Sequence, residues 1–439
     1  MKKTGEKLLS FLQKSPTCFQ AVETAAKMLA DSGYELLDES GEWSGLQPGG
    51  KYMVTRNQSS LIAFHIPEEG FFGFQIGAAH TDSPSFRLKP LSEQPADGHY
   101  IRLNTEPYGG AIYDTWMDRP LSIAGRLAVE TPWGIEGKTV NVDRDLLLIP
   151  HVAIHMNRKV NEGKELNAQT DMLPLMASEK GQGSLKRILA EAAGVREEQI
   201  LGADLFLYNR TAGMIWGADG EFVSAPRLDD LQCAFGLLMG FLGAKPSGSA
   251  AVLGLFDNEE VGSLSRQGAD SDFLQTVLRR MASAFGSHEE DFAQQLANSI
   301  LISADNAHAV HPNHPELSDA QNRVYMNQGI VLKYNGNQKY TTNSLSEGVV
   351  RAYCRKAGIE CQVYANRSDM AGGSTLGNLS NRHVSLLSAD IGLAQLAMHS
   401  SYETAGVKDT EDLIRLMEMI YSTSLEMENN HIRILQEPV

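Results

Sequence analysis

The sequence predicts an α/β fold interrupted by a β-rich insertion, and three observations carry that expectation. Short apolar runs alternate with segments of helical period near both ends of the chain. Residues 251–256 form an apolar run unbroken by charge, as in a strand covered on both faces of a parallel sheet. Between about residues 93 and 224 the pattern changes to alternating apolar and polar positions with frequent glycines, which reads as sheet with little helix. The expected division is residues 1–92 for the first part of the α/β domain, 93–225 for the insertion and 226–439 for the second part. An insertion between two halves of a domain is expected to make subunit contacts.

Residues 4–32 read as two short helices. Leu8, Leu9, Phe11 and Leu12 mark the apolar face of the first, and Ser15-Pro16 supplies an N-cap and first-turn proline for the second. Phe19, Val22, Ala26 and Leu29 keep helical spacing along it. Residues 60–65 and 71–77 read as strands divided by a Pro-Glu-Glu-Gly turn, and the second leads into His80-Thr81-Asp82-Ser83-Pro84. Inside the insertion, 109–116 and 121–129 alternate, with helix expected around 173–193. After Pro226 the expectations are helix at 229–242, strand at 250–256 and helix at 271–298 with a break near Gly286. Strand at 301–304 ends in Asp305; helix at 343–357, extended chain at 361–364, strand at 383–387 and a long helix at 410–426 follow. There is no internal repeat and no low-complexity segment.

The chain has 38 Lys and Arg against 54 Asp and Glu, a formal net charge of -16. That balance argues against a polyanion-binding surface, which depends on clustered cations, so no nucleic acid partner is expected. Cys18, Cys233, Cys354 and Cys361 lack Cys-x-x-Cys spacing and read as reduced structural thiols. Glu6 and Gln13 interrupt any apolar core at the start of the chain, and no apolar run approaches the roughly 20 residues of a membrane span. The expectation is a soluble cytoplasmic protein with no membrane partner.

The apolar run 251–256 stops at Asp257-Asn258-Glu259-Glu260. Alone, that stretch reads as a solvated acidic turn, yet open α/β sheets place their ligands beyond such strand ends. Other strand ends and loops carry the same chemistry: His80, Asp82, Asp229, Asp230, Asp305 and His399. Mixed imidazole and carboxylate donors suit zinc, cobalt or manganese better than calcium or magnesium. The set is large enough for two metals sharing one carboxylate, with one glutamate left to move protons. Asp230 reads as a first-turn acid complementing a helix dipole. Gly372-Gly-Ser-Thr-Leu-Gly377 lacks the ending of a phosphate loop and is expected to let backbone approach the metal site. His311 and His314 lie between prolines in an irregular loop, while His65, His99, His288, His383 and His431 read as structural or exposed.

Five motifs stand in order: Gly77-Ala-Ala-His80-Thr-Asp82-Ser-Pro84, Pro226-Arg-Leu-Asp229, Asp257-Asn-Glu259-Glu260-Val-Gly-Ser263, Ser303-Ala-Asp305-Asn-Ala-His308-Ala-Val-His311-Pro-Asn313 and Ala397-Met-His399-Ser400. With Ser15-Pro-Thr17, Tyr108-Gly-Gly110, Trp116 and Asp118-Arg119, they make essentially the whole chain resemble the aspartyl aminopeptidase family. The resemblance implies a three-layer α/β/α zinc-peptidase-like catalytic domain with an inserted β-rich dimerisation domain. It implies two zinc ions per subunit, replaceable by cobalt or manganese, and removal of the N-terminal residue, Asp or Glu, from peptide substrates. It also implies a homo-oligomer, as family members assemble into tetrahedral dodecamers.

Carried over by position, Asp229 resembles the carboxylate that bridges both metals; His80 and Asp305 complete one site, and Glu260 and His399 the other. Glu259 matches the general base and Asp82 the acid orienting His80. Lys333 and His308 match positions facing the substrate side chain, Tyr340 one near the scissile carbonyl, and His155 a histidine inserted into a neighbouring subunit's site. As bare residues these four also fit a surface lysine, a packed aromatic and structural histidines. Relatives preferring neutral or basic N-terminal residues, a dinuclear zinc amidohydrolase acting on N-acyl amino acids or as a carboxypeptidase, and a catalytically inactive shell or scaffold protein are the alternatives.

Overall fold

The computed structural model describes residues 2–163 and 165–435. Its centre is a nine-stranded mixed sheet. In order across the sheet, the strands are Glu35–Leu36, Lys51–Arg56, Ser60–His65, Ala250–Phe256, Phe74–His80, Ile300–Ala304, Leu387–Gly392, Ile330–Tyr334 and Cys361–Ala365. Period-two alternation decides which layer each side chain joins. Leu61, Ala63, Leu253, Leu255, Ile302 and Ile391 face helices Lys2–Lys14, Cys18–Asp31, Leu228–Gly243, Ser344–Ala357 and Val407–Tyr421. Ile62, Phe64, Ile76, Val252 and Leu301 face the other way, against Phe273–Ala284 and Glu289–Ala297. Helices on both faces of one sheet make the three-layer α/β/α architecture.

The three central strands run parallel, with Phe256 opposite His80 and Ser303 opposite Ala78. That register ends all three at one level, so the residues after them share one crevice. From there the chain leaves through residues 81–84 into a six-stranded sheet that begins at Ser85–Ala96 and finishes at Ile200–Asn209. This sheet has its own core, built on Phe86, Leu103, Trp116, Leu121, Ile123 and Leu205, with Leu185 and Leu189 from helix Ser184–Ala193. A five-stranded sheet ordered Met214–Trp216, Phe222–Ala225, Glu403–Gly406, Ala394–Leu396, Ala307–His308 lies beside the crevice.

Local differences from the sequence expectations have local causes. The second helix starts after Thr17, whose extended backbone makes it the N-cap in place of Ser15. Residues 173–193 divide into strand Leu175–Ser178, paired with Tyr100–Ile101, and the helix from Ser184. Strand 387–392 replaces the one expected at 383–387, because Ile300–Ala304 offers its open edge to Leu387–Ile391. The last helix ends at Tyr421, and Ser424–Glu428 pairs with His431–Leu435 in a hairpin whose Leu425 is buried and whose Ile432 and Ile434 pack on the same core. Among the described residues no helix is long and apolar enough to cross a membrane.

Candidate metal centre

His80 closes the strand Phe74–His80 and is buried. Asp229 opens the helix Leu228–Gly243 with non-helical φ -82° and ψ 111°. Asn258 takes left-handed φ 64°, a conformation asparagine adopts more readily than most residues, and turns the chain into Glu259–Val261. Asp305 follows the strand Ile300–Ala304, and His399 sits at φ 67° in the loop between Ala394–Leu396 and Glu403–Gly406.

These segments, far apart in sequence, converge. Asp229 Oδ1 is 3.6 Å from His80 Nε2, and its Oδ2 is 3.5 Å from His399 Nε2. His399 Nε2 is also 3.4 Å from Glu260 Oε2. Among the described residues, ligand-type atoms fall into three groups, each within 4.8 Å: His80, Asp229, Asp230 and Asp305; Asp229, Glu260 and His399; and His80, Glu259 and Glu260. Asp229 is common to the first two.

Metal-free, the cluster is overloaded with negative charge. Burial, with Asp305 and Asp82 adding to it, pushes the Glu259 carboxyl up to about 8 although His80 works against the shift. Burial and Asp229 raise Glu260 well above the usual range. Burial raises Asp305 even with Lys333 opposing it. Burial also disfavours a charged His80, but Asp229 and Asp82 outweigh it and lift its pKa. Buried Asp229 Oδ1, Asp230 Oδ1 and Glu260 Oε1 have no hydrogen-bond partner. Orphaned anionic oxygens facing two histidines are the donor set of a zinc-type cation, so the residues fit a metal.

Asp82 holds the frame of the site. His80 Nδ1 lies 3.0 Å from its backbone oxygen and 3.4 Å from its Oδ1. The Asp82 carboxylate accepts the backbone N–H of Glu259 at 3.1 Å and of Glu260 at 3.2 Å, and the Tyr108 hydroxyl at 2.7 Å. Sequence reasoning missed Tyr108 as a contributor. It also missed Glu403, which is buried and accepts the backbone N–H of Asp229 at 3.0 Å and of His399 at 2.8 Å. Asp230 stands in the first turn of the helix Leu228–Gly243, as expected, and is fully buried there, its Oδ2 accepting the His80 N–H at 3.2 Å.

Lys333 is buried, 3.5 Å from Asp305 Oδ2 and 5.4 Å above the Tyr340 ring. Burial works against its charge, but Asp305 outweighs this and raises its pKa. Burial and then Lys333 lower the pKa of His308, which is nonetheless exposed to solvent. His155 is exposed, in a turn of the Pro150–Met156 stretch, and is in none of the three ligand groups. Gly372 and Gly377 pack on Asn366 and Asp390 instead of on the ligands. Close approach to the ligands comes from Gly109 and Gly110, where an added Cβ would lie 3.1 Å from Glu260 Cβ and 3.3 Å from His399 Nδ1.

Comparison with known proteins places the chain in a family. Residues 11–421 match Peptidase_M18, described as aminopeptidase I zinc metalloprotease. A probable M18 family aminopeptidase 2 of Clostridium novyi is 45% identical over 93% of this chain and 96% of its own length. The fold matches that in a cryo-EM structure of an Ape4 and Nbr1 complex with TM-score 0.93 at 34% identity, covering 96% of this chain and 85% of that one. It matches the S. cerevisiae mApe1 dodecamer with TM-score 0.84 at 28% identity, covering 95% and 96%. The chain therefore belongs to the M18 family of zinc metalloaminopeptidases, the family that includes aspartyl aminopeptidase.

Proposed function

We propose that this enzyme removes acidic N-terminal residues from peptides at a two-zinc centre in which Asp229 would be the carboxylate shared by both ions. His80 and Asp305 would hold one ion, and Glu260 and His399 the other. The observation that supports it is the pair of Asp229 oxygens, each facing a different histidine at 3.6 and 3.5 Å. Zinc there supplies an activated water and a polarised carbonyl at neutral pH. Glu259 takes the proton from the attacking water and delivers it to the departing amine, a role for a carboxylate that two adjacent cations would keep ionised. Tyr340 donates toward the scissile carbonyl oxygen. Lys333 and His308 receive the substrate's side chain.

Replacing Glu259 by Gln tests the assignment. The expected outcome is a loss of turnover of about 10²-fold or more with zinc content still at two per chain. Loss of one zinc instead would make Glu259 a ligand, since it also lies in a group with His80 and Glu260. A panel of aminoacyl substrates, with N-acetylated ones as control, tests specificity. Lys333 is already paired with Asp305, and this favours a second reading in which neutral residues are accepted as well. Cleavage of the N-acetylated substrates alone would point to an amidohydrolase.

The six-stranded sheet with helix Ser184–Ala193 is the natural choice for an inserted assembly unit. Val152, Ile154 and Met156 flank His155 and are 46%, 53% and 82% exposed, as suits a segment that reaches into a neighbouring copy. We expect a cytoplasmic homo-oligomer, with the dodecamer of the yeast relative as guide; light scattering checks its size.

A further inference from the structure

Tyr108 ends the strand Tyr100–Tyr108 of the six-stranded sheet, outside the central and five-stranded sheets whose strand ends and loops carry His80, Asp305 and His399. Its ring packs edge-on against Phe206 of the same sheet, with centroids 5.2 Å apart. Its hydroxyl leaves that sheet, donating to Asp82 Oδ2 at 2.7 Å and accepting from Asn258 Nδ2 at 2.9 Å. Asn258 is fixed in turn, because its Oδ1 accepts from Ser265 Oγ and Gln267 Nε2, both at 2.8 Å.

A carboxylate offers about four acceptor positions, and Asp82 uses three of them on the Tyr108 hydroxyl and the Glu259 and Glu260 N–H groups, while the His80 ring, bonded to the Asp82 backbone oxygen, lies 3.4 Å from Oδ1. The hydroxyl contact is the shortest of these and is charge-assisted. The residues that follow continue the grip. Gly110 O accepts His399 Nδ1–H at 3.1 Å, Ile112 N–H donates to His399 O at 3.0 Å, and Thr115 Oγ1 accepts the Ser401 N–H at 2.9 Å. The stretch from Tyr108, at the end of its strand, through the turn at Thr115 therefore contacts both ends of the ligand cluster.

We propose that Tyr108 is a positioning residue for the hydrolysis: through Asp82 it sets the Glu259–Glu260 turn and the His80 ring. The six-stranded sheet thereby becomes part of the active site's frame as well as a body for contacts between copies. This inference rests on the zinc aminopeptidase reading given above.

Tyr108→Phe tests it, since the ring and its packing on Phe206 are retained while both hydroxyl bonds are lost. In the intact enzyme, kcat should fall about 10- to 100-fold with KM within about twofold. Zinc affinity, read by chelator competition without any substrate, should fall about 10-fold, the usual size of an effect from a residue that orients a ligand. Because Tyr108 acts through Asp82, adding Tyr108→Phe to Asp82→Asn should cost little beyond Asp82→Asn alone. Wild-type kcat and zinc affinity in Tyr108→Phe, or a loss that adds in full to that of Asp82→Asn, would overturn the inference. If the unsubstituted enzyme binds zinc but cleaves no aminoacyl substrate, the functional reading fails, and the zinc-affinity comparison still decides the role of Tyr108.

Discussion

Glu403 never reaches a ligand position, yet it decides where two of them point. His399 holds a left-handed backbone, which costs a non-glycine residue about 1 kcal/mol or more unless its surroundings enforce it. Glu403 supplies that enforcement by accepting the His399 N–H with one oxygen and the Asp229 N–H with the other. His399 Nδ1–H donates to Gly110 O, leaving Nε2 to face Asp229 and Glu260. A glutamine at 403 keeps one acceptor oxygen and turns an NH2 group toward the second N–H. We therefore expect Glu403→Gln to weaken zinc binding about 10-fold and to lower stability by about 1–3 kcal/mol, as for an unsatisfied buried donor. Chelator competition and urea unfolding measure the two effects. Unchanged zinc affinity would mean that the loop alone orients His399.

At the scale of elements, strand ends do the placing. Ser60–His65 and Lys51–Arg56 pair so that His65 stands opposite Lys51, near the edge of the central sheet. Its Nδ1 is buried without a partner and its ring meets Tyr34 edge-on, so the neutral form is favoured. Burial first, and Lys51 second, lower its pKa from 6.5 to about 4. The sign follows from linkage: the unfolded chain takes up this proton more readily, so the stabilisation is complete above about pH 6.5 and is lost as the pH falls toward 4. In metal-free protein, the urea midpoint of the wild type should drop more between pH 7 and 4.5 than that of His65→Gln. Parallel drops would show that folding leaves the His65 pKa unshifted.

Across the whole molecule, the same convergence that makes a site makes a liability. Buried carboxylates with orphaned oxygens weaken the metal-free fold, and bound cations relieve this. A site filled at a thousand times its dissociation constant stabilises the fold by about 4 kcal/mol. Chelation should therefore lower Tm by several degrees and zinc should restore it, with Tm rising with free zinc. A Tm indifferent to zinc would mean that the cluster is not a metal site.

Much was legible in the residues themselves. The apolar run 250–256 folds as the strand Ala250–Phe256, because an uncharged run can be covered on both faces, and the breaks at Pro67–Gly70 and Gly286 fall between elements as their turn chemistry requires. The motif residues His80, Asp229, Glu260, Asp305 and His399 do come together. Less legible were Tyr108, Glu403 and Asp230. A tyrosine at a strand end and two acids carry no periodicity or spacing that separates them from solvated residues. Their roles appear only when three sheets meet and a hydroxyl or carboxylate finds N–H groups more than a hundred residues away. Sequence alone determined the alternation of helix and strand and the donor chemistry on offer, because hydrophobic periodicity and side-chain chemistry are local properties. Tertiary structure alone decided what orients those ligands, because a hydrogen bond between distant segments depends on the register and packing of whole sheets.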